Sequence, residues 1–595
     1  MKTFRYISFL ALSLCLLGTF TSCKDDEFLE EHPKTFYAPE NAFETMDQVN
    51  ASITTLYRQT RRIVQIDKFL LGLGSDVMDI PYFRSTGKGS GDFSSWSSSS
   101  NNAETPFNRL YQLANYANFA LEGVSSEKVS MSSDERAALT AEVKFFRGFA
   151  YLTLGELFGG VPLVDKFYEE LKLDFERATR EATYEFAIKD LKEAAENLPD
   201  YPKEAGRVAK GAAYHYLAEA YISLATIKGN DKDDLTQAIN YATQAIDLHP
   251  LMTERFGTRA DAASKDVRNK VPAYYPDGDV FFDLFQEGNF DYSEGNTEAV
   301  WTLQNDYEVY KKYSGDNYVD WPRNFSSVAR DVRWNSEYAT EKSTAPWSTN
   351  IDPELYPGTN VCAYVGGRGI ASYAPTTYVI TTVWDGDYFN DMRNSPCNIR
   401  RNFICLDTLH YMYGKPVTID MLEHDNQRIT EFFPCWTKMA PIDDWGYDDL
   451  EDGGNRSNMY CDRYMVRSAA TILLRAEAKF RSGDAGGAAD DINMLRNRAK
   501  CTTLAKASDI TIQYILDERV RELWGEELRW CTLLRMGQDG INSLNAHQMY
   551  IEPQTYWYEF FKPSHDKVTD WTLFPIPQKV IDGNSDAKIE QNPGW

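Results

Sequence analysis

The 595-residue chain lacks the signatures by which a catalyst of this size is usually recognised. It contains no His-Glu-x-x-His, no Gly-x-Ser-x-Gly, no Gly-x4-Gly-Lys-Ser/Thr and no complete Gly-x-Gly-x-x-Gly. Its near misses fail in ways that matter: STGKGSG lacks the earlier glycine of a phosphate loop, and GLGSDV lacks the last glycine of a dinucleotide fingerprint. Histidine is scarce and scattered, with seven in all, and His215 lies on a helical stretch where packing explains it. Nine cysteines include no Cys-x-x-Cys pair, which disfavours a structural zinc or a disulfide-dense scaffold. A lone Cys397–Cys405 bridge stays open, beside the blander alternative of unpaired buried thiols. Positive charge is short as well: 62 Lys and Arg face 88 Asp and Glu, for a formal net charge of −26. Such a field repels a polyphosphate, so nucleic acid is excluded as a partner. No apolar run after residue 22 is long enough to cross a membrane.

What is present begins at the N-terminus. Lys2 and Arg5 precede an apolar stretch, Ile7 to Phe20, that is too short to span a bilayer and reads as an export signal. It stops at TSCKDDEFLEEHP. Small Thr21 and Ser22 lead to Cys23, the residue type whose thiol accepts a diacylglyceryl group in bacterial lipoproteins; a plain cleaved signal with an incidental cysteine is the alternative. Removal of residues 1–22 makes the chain two charges more negative. Lys24, Asp25, Asp26 and Glu27 then form a solvated tether, so the segments are a signal (1–22), a lipidated tether (23–35) and one domain (36–595) on a membrane surface.

Within 36–595 the flanks, 36–255 and 460–595, have helical period, and 256–459 does not. AIKDLKEAAENLP places Ala187, Leu191, Ala194 and Pro199 at the spacing of the second helix of a tetratricopeptide repeat. A second copy supplies Leu217, Ala218 and Tyr221 and then Ala238, Ala245 and Pro250. A weaker third has Ala476 and Ala488, with Leu495 in place of the later alanine. Small residues at these points let helices approach closely. TAEVKFFRGFAYLTLGELFG and ILDERVRELWGEELRWCTLLRMG are further helices by pattern. In the latter, Ile515, Val520, Leu523, Trp524, Leu528, Leu533 and Leu534 recur at three and four; Glu518, Glu522 and Glu527 read as a solvated face, and Glu526 can pair with Arg529 on the outside.

The middle region has Gly, Pro, Asn and Asp between short apolar runs, and SYAPTTYVITTVW looks like brief strands. The run DDWGYDDLEDGGN reads as a solvated acidic turn rather than a calcium loop. Seven of the thirteen tryptophans lie between residues 300 and 445, which makes the region the place to look for a ligand. Trp301 and Trp384 have apolar contexts and belong to a core. Trp321, Trp334 and Trp347 have polar neighbours and are expected as exposed stacking surfaces. Trp96, in KGSGDFSSWSSSSNN, has little core to join and either touches ligand or seals its loop.

Taken together, CKDDEFLEEHP, AEVKFFRGFAYLTLGELFGGVPLV, GRVAKGAAYHYLAEAYISLA, ERVRELWGEELRWCTLLRMG and LFPIPQKVIDGNSDAKIEQNPGW resemble, in order, the SusD/RagB-like outer-membrane nutrient-binding lipoproteins. The resemblance implies a mainly α fold: a right-handed superhelical scaffold of about four tetratricopeptide-like helix pairs, with a loop-rich ligand-binding insertion containing a few short strands. It implies a non-enzymatic protein on the cell exterior that captures an oligosaccharide or polysaccharide, less often a peptide, for a SusC-like TonB-dependent transporter, with no cofactor and no metal. In the starch-binding members a loop tryptophan and middle-region aromatics form the binding arc. Position and residue type carry this over to Trp96, Tyr318, Trp321 and Trp334, with Arg84 and Asn101 as polar partners. A surface glycoside hydrolase and a pure protein-binding scaffold are the remaining alternatives.

Overall fold

The computed structural model describes residues 42–66, 69–80, 96–257, 278–309, 320–328, 332–347, 350–352, 369–423, 433–439, 460–547, 549–551, 561–563 and 567–595. The signal, Cys23 and the tether lie outside them, as do Arg84, Tyr318 and the acidic run.

The fold is mainly α. Its first helices are α1 (Met46–Arg61), α2 (Asn101–Ser125), α3 (Ser133–Phe158), α4 (Arg180–Asn197), α5 (Lys210–Ile227) and α6 (Lys232–Leu248). Four of them start where the sequence supplies an oxygen for the orphan N–H groups: capping boxes of Thr45 with Gln48 and Ser132 with Glu135, Thr179 ahead of α4, and Asp231 ahead of α6. Beyond the irregular region come α7 (Ser468–Ser482), α8 (Ala485–Arg498), α9 (Ile512–Leu523), α10 (Arg529–Arg535) and α11 (Gln538–His547). Consecutive helices pack on one another, and α7 closes onto α5 and α6, giving the pairs α1/α2, α3/α4, α5/α6 and α7/α8. Ala187, Ala194, Ala218, Ala238, Ala245, Ala476 and Ala488 are all buried in the seams, where the repeat spacing places them.

The irregular region has its own core, built around Trp321, Trp334, Trp347, Trp384 and Trp436 with Phe281, Phe285 and Phe403. Its strands are short. The longest pair, β1 (Ala299–Leu303) and β2 (Arg463–Arg467), is antiparallel and fastens the region to the helical frame. Trp301 leaves β1 to meet Phe145 of α3 edge-on, ring centroids 5.2 Å apart, and its indole N–H donates to the Gly206 carbonyl (3.1 Å). Trp301 and Trp384 are core, as expected. SYAPTTYVITTVW is not a run of strands: only Ala374–Pro375 pairs, while Thr377–Ile380 is helical and Thr382–Trp384 a 3-10 turn. Its β-branched residues fit a buried surface, and packing rather than propensity chose the backbone.

The closing helix departs furthest from expectation. It breaks after Leu523 because Gly525 stands at φ +78°, and a Cβ there would sit 2.5 Å from the Met439 sulfur. Glu526 therefore does not pair with Arg529 on an exposed face. It reaches Arg467 (2.6 Å) and Lys438 (3.0 Å), while Arg529 binds Asp76 (2.6 Å) and Glu527 (2.9 Å). Nor are Glu518, Glu522 and Glu527 a solvated face. Glu522 is fully buried between Arg393 (2.9 Å), Arg467 (2.6 Å) and Arg498. Glu518 is held by Arg393 (2.8 Å), Arg496 (2.7 Å) and Arg521 (2.9 Å), and Glu527, nearly buried, by Arg519 (2.6 Å). Burial alone would raise the Glu518 and Glu522 carboxyls, but these guanidinium groups hold both far below the ordinary range. Of the arginines around Glu522, Arg393 lies 129 positions away and Arg467 55, while Arg498 comes from α8, and no local period displays any of them.

The six described cysteines, Cys397 and Cys405 among them, are buried and unbridged. Burial pushes the Cys405 thiol up to about 11. His215 is buried, with Nδ1 2.8 Å from the Thr471 hydroxyl, as packing required. No helix among the described residues is long and apolar enough to cross a membrane.

Candidate functional site

Among the described residues of the irregular region, Phe389 is the most exposed single ring (72%), but the hairpin of Phe403–Ile404 and Pro416–Val417 is where two exposed aromatic rings stand on one tip. Its tip, DTLHYMYGK, turns through Gly414 at φ +73°. Leu409 (59% exposed), Tyr411 (58%) and Tyr413 (42%) face solvent.

Three buried supports fix that tip. The Asp407 carboxylate accepts the Leu409 N–H (2.9 Å) and the Asn350 amide (3.1 Å), while the Thr408 N–H donates to the Asn350 carbonyl (3.1 Å). His410 accepts the Met412 N–H at Nδ1 (3.2 Å), which leaves Nε2–H to donate to the Tyr338 carbonyl (2.8 Å). The third support is Trp347, whose indole N–H donates to the Ile404 carbonyl (2.7 Å) under the hairpin. Aromatic rings connect core and surface: Trp334 stacks on His410 (4.6 Å, 18°) and on Tyr338 (6.0 Å, 25°), and His410 meets Tyr411 (4.4 Å, 34°).

Trp321 (5% exposed), Trp334 (3%) and Trp347 (0%) are thus not exposed stacking surfaces. Their polar sequence neighbours conceal what covers them: Arg463 lies over the Trp321 ring at 4.2 Å, and the hairpin covers the other two. Trp96 is half-buried among Phe69 (5.7 Å), Trp530 (5.9 Å), Trp571 (6.4 Å) and Phe574 (5.7 Å), an aromatic cluster of the frame. Asn101 is exposed at the first residue of α2. The structure does not bring these residues into one arc. Tyr411 and Tyr413 were missed, although L-H-Y-M-Y before a glycine is a legible alternation of aromatic side chains leading into a turn.

The tip suits recognition rather than bond-breaking. Flat, rigid tyrosine faces with Lys342, Lys415 and Asn350 exposed nearby fit a ligand of apolar faces and hydroxyl edges. Among the described residues no group of His, Cys, Asp and Glu is arranged to hold a metal ion.

Known families match both ends of the chain. Residues 27–222 match the family described as "Starch-binding associating with outer membrane", and residues 441–595 the SusD family. The starch-binding protein SusD of Bacteroides thetaiotaomicron is 23% identical over 518 residues, 84% of this chain and 80% of its own length. Among solved structures, a SusD homologue from the same organism superposes with TM-score 0.62 at 18% identity, covering 94% of this chain and 98% of the other. A laminarin-binding SusD-like protein does so with TM-score 0.55 at 18% identity, covering 93% and 100%.

Proposed function

This chain belongs to the SusD-like family, and from that premise we propose that it is a glycan-binding lipoprotein of the cell surface. It is anchored through lipid on Cys23 to the outer face of the outer membrane and held off by residues 23–35. Residues 36–595 work as one unit that captures oligosaccharides and passes them, uncleaved, to a SusC-like TonB-dependent transporter. Support comes from relatives named for binding starch and laminarin, and from a family description that joins starch binding to the outer membrane. Within the molecule, the observation that carries the reading is the pair of exposed tyrosines on a tip fixed by buried rings and hydrogen bonds. A preorganised face loses little entropy when a sugar ring stacks on it. Asn101, with Arg84 and Tyr318 beyond the described residues, stays assigned to ligand contact.

Calorimetric titration with starch- and laminarin-derived oligosaccharides tests this. Saturable heat without release of reducing sugar is expected, together with roughly tenfold weaker binding in the Tyr411→Ala/Tyr413→Ala variant, two lost stacking contacts. Binding of peptides but not of glycans, or liberation of reducing ends, overturns it.

A further inference from the structure

The helical frame holds an open cavity of about 490 Å³ on which the tyrosine tip does not border. Four separate segments close around it: Asn230 from the α5–α6 turn, Phe480 and Arg481 from the end of α7, Thr511 to Gln513 from the start of α9, and Asp539 and Asn542 from α11. Its size lies in the range of small-ligand sites, which run from roughly 300 to 1,000 Å³. A second cavity, of about 300 Å³ between α3 and α4, has its polar groups committed: Lys144 pairs with Glu193, and Arg136 donates to the carbonyls of Ser126 and Val129.

In the larger cavity the polar groups have capacity left. The Asn230 oxygen accepts from Arg481 (3.3 Å), which leaves its NH₂ without a hydrogen-bond partner. The Asn542 oxygen accepts from Gln538 (3.0 Å), which leaves its NH₂ likewise. Gln513 spends its NH₂ on Tyr378 (3.0 Å) and Asp517 (2.8 Å), which leaves its carbonyl oxygen. Phe480 and Ile512 supply apolar wall. The charge is already balanced, because Arg481 is bound by Glu477 (2.8 Å) and lies 3.8 Å from Asp539, while its buried Nη2 has no hydrogen-bond partner and remains as a further donor. An anion brought in would meet Asp539 and a guanidinium already shared; a cation would meet Arg481. Amide donors, an amide acceptor and a half-buried phenyl ring, with no net charge to satisfy, are the chemistry that recognises an uncharged polyhydroxylated ring.

We propose that this cavity is a second carbohydrate site, in the frame rather than in the irregular region, that takes a neutral mono- or disaccharide. It makes no use of the tyrosine tip, so the two sites stand or fall separately.

Saturation-transfer NMR on the intact soluble protein, with maltose, cellobiose and laminaribiose as probes, tests it. Two substitutions remove the amides at small structural risk: Asn230→Gly at a position of φ +67°, which glycine adopts freely, and Asn542→Ala at an exposed helix position. Thermal unfolding of the double variant should match the wild type. The expected result is transfer to at least one disaccharide that persists in Tyr411→Ala/Tyr413→Ala and falls about tenfold when N230G/N542A is added to that variant. Transfer that the added pair leaves unchanged, transfer lost already in the tyrosine variant, or no transfer to any of the three sugars in the wild type overturns the proposal. Loss in the tyrosine variant alone leaves the tip intact as the binding surface, and so separates the two readings.

Discussion

The helical frame and the irregular region solve burial in different ways. In the frame, small residues recur at fixed spacing and the backbone satisfies itself, so each helix pair needs little more than alanine seams and caps. The irregular region has no such ladder. Its backbone is satisfied turn by turn, by carboxylates and amides such as Asp407 and Asn350, and its volume is filled by indoles. Tryptophan density marked the region that most needed filling, while the surface proposed to meet ligand is made of exposed tyrosines, Tyr411 resting on His410 and through it on Trp334. Between the two lies the buried ionic lattice of Arg393, Arg467, Arg498, Glu518 and Glu522, which joins Asp391 and β2 to α8 and α9.

The strongest way to break the comparison is to attack that joint. Glu522→Gln leaves Arg393, Arg467 and Arg498 buried with one carboxylate fewer, and removing a partner from a buried pair costs about 3–5 kcal/mol. Urea unfolding followed both by far-ultraviolet dichroism and by tryptophan fluorescence should then show the irregular region losing structure ahead of the frame. If the transitions stay coincident at the wild-type midpoint, the lattice does not couple the regions.

Next comes the footing of the tip. Trp334→Ala removes the ring beneath His410 and Tyr338, with an expected loss of about 3–4 kcal/mol. Because the site is remote from the frame, helical dichroism should be retained while near-ultraviolet signals and oligosaccharide binding fall. A variant that binds normally would show that the tip holds itself.

These two cases also show what the residues disclosed in advance. The alanine positions of the repeats and the core roles of Trp301 and Trp384 are local properties: period, spacing and neighbours within a few residues carry them. The partners of Glu518 and Glu522 are not local, since Arg393 and Arg467 lie more than fifty residues away, and a charged helix face looks the same whether water or guanidinium groups meet it. Trp334 and Trp347 were misplaced for the same reason. Their polar neighbours along the chain say nothing about a hairpin some sixty residues later that folds over them.

Acid distinguishes the frame by a smaller effect. Burial, aided by Arg519 and Arg535, lowers the His215 imidazole from its ordinary value to about 3. The unfolded chain binds this proton below about pH 6.5 and the folded chain does not, so stability falls as pH drops from about 6.5 towards 3 and is flat above that window. One such group costs about 1.4 kcal/mol per pH unit. Glu156 and Glu219, raised by burial, change stability in the opposite sense above about pH 4.3, so the whole-protein curve mixes both. The difference between wild type and His215→Gln isolates the histidine: the variant should lose less stability between pH 6.5 and 4.5, and parallel curves would refute the assignment.

The smallest expected effect sharpens the contrast most. Tyr411→Ala removes a ring that is more than half exposed and rests on His410 without filling the core. Substitutions at such positions usually change stability by no more than about 0.5 kcal/mol. Binding should nevertheless weaken severalfold, since one stacking contact is worth about 0.5–1.5 kcal/mol. Trp334→Ala and Tyr411→Ala therefore make a matched pair on one column of rings: the first should lower both stability and affinity, the second affinity alone. Equal destabilisation by the two would place Tyr411 in the core of the hairpin and return the search for the glycan surface to Asn101 and the segments around Arg84 and Tyr318.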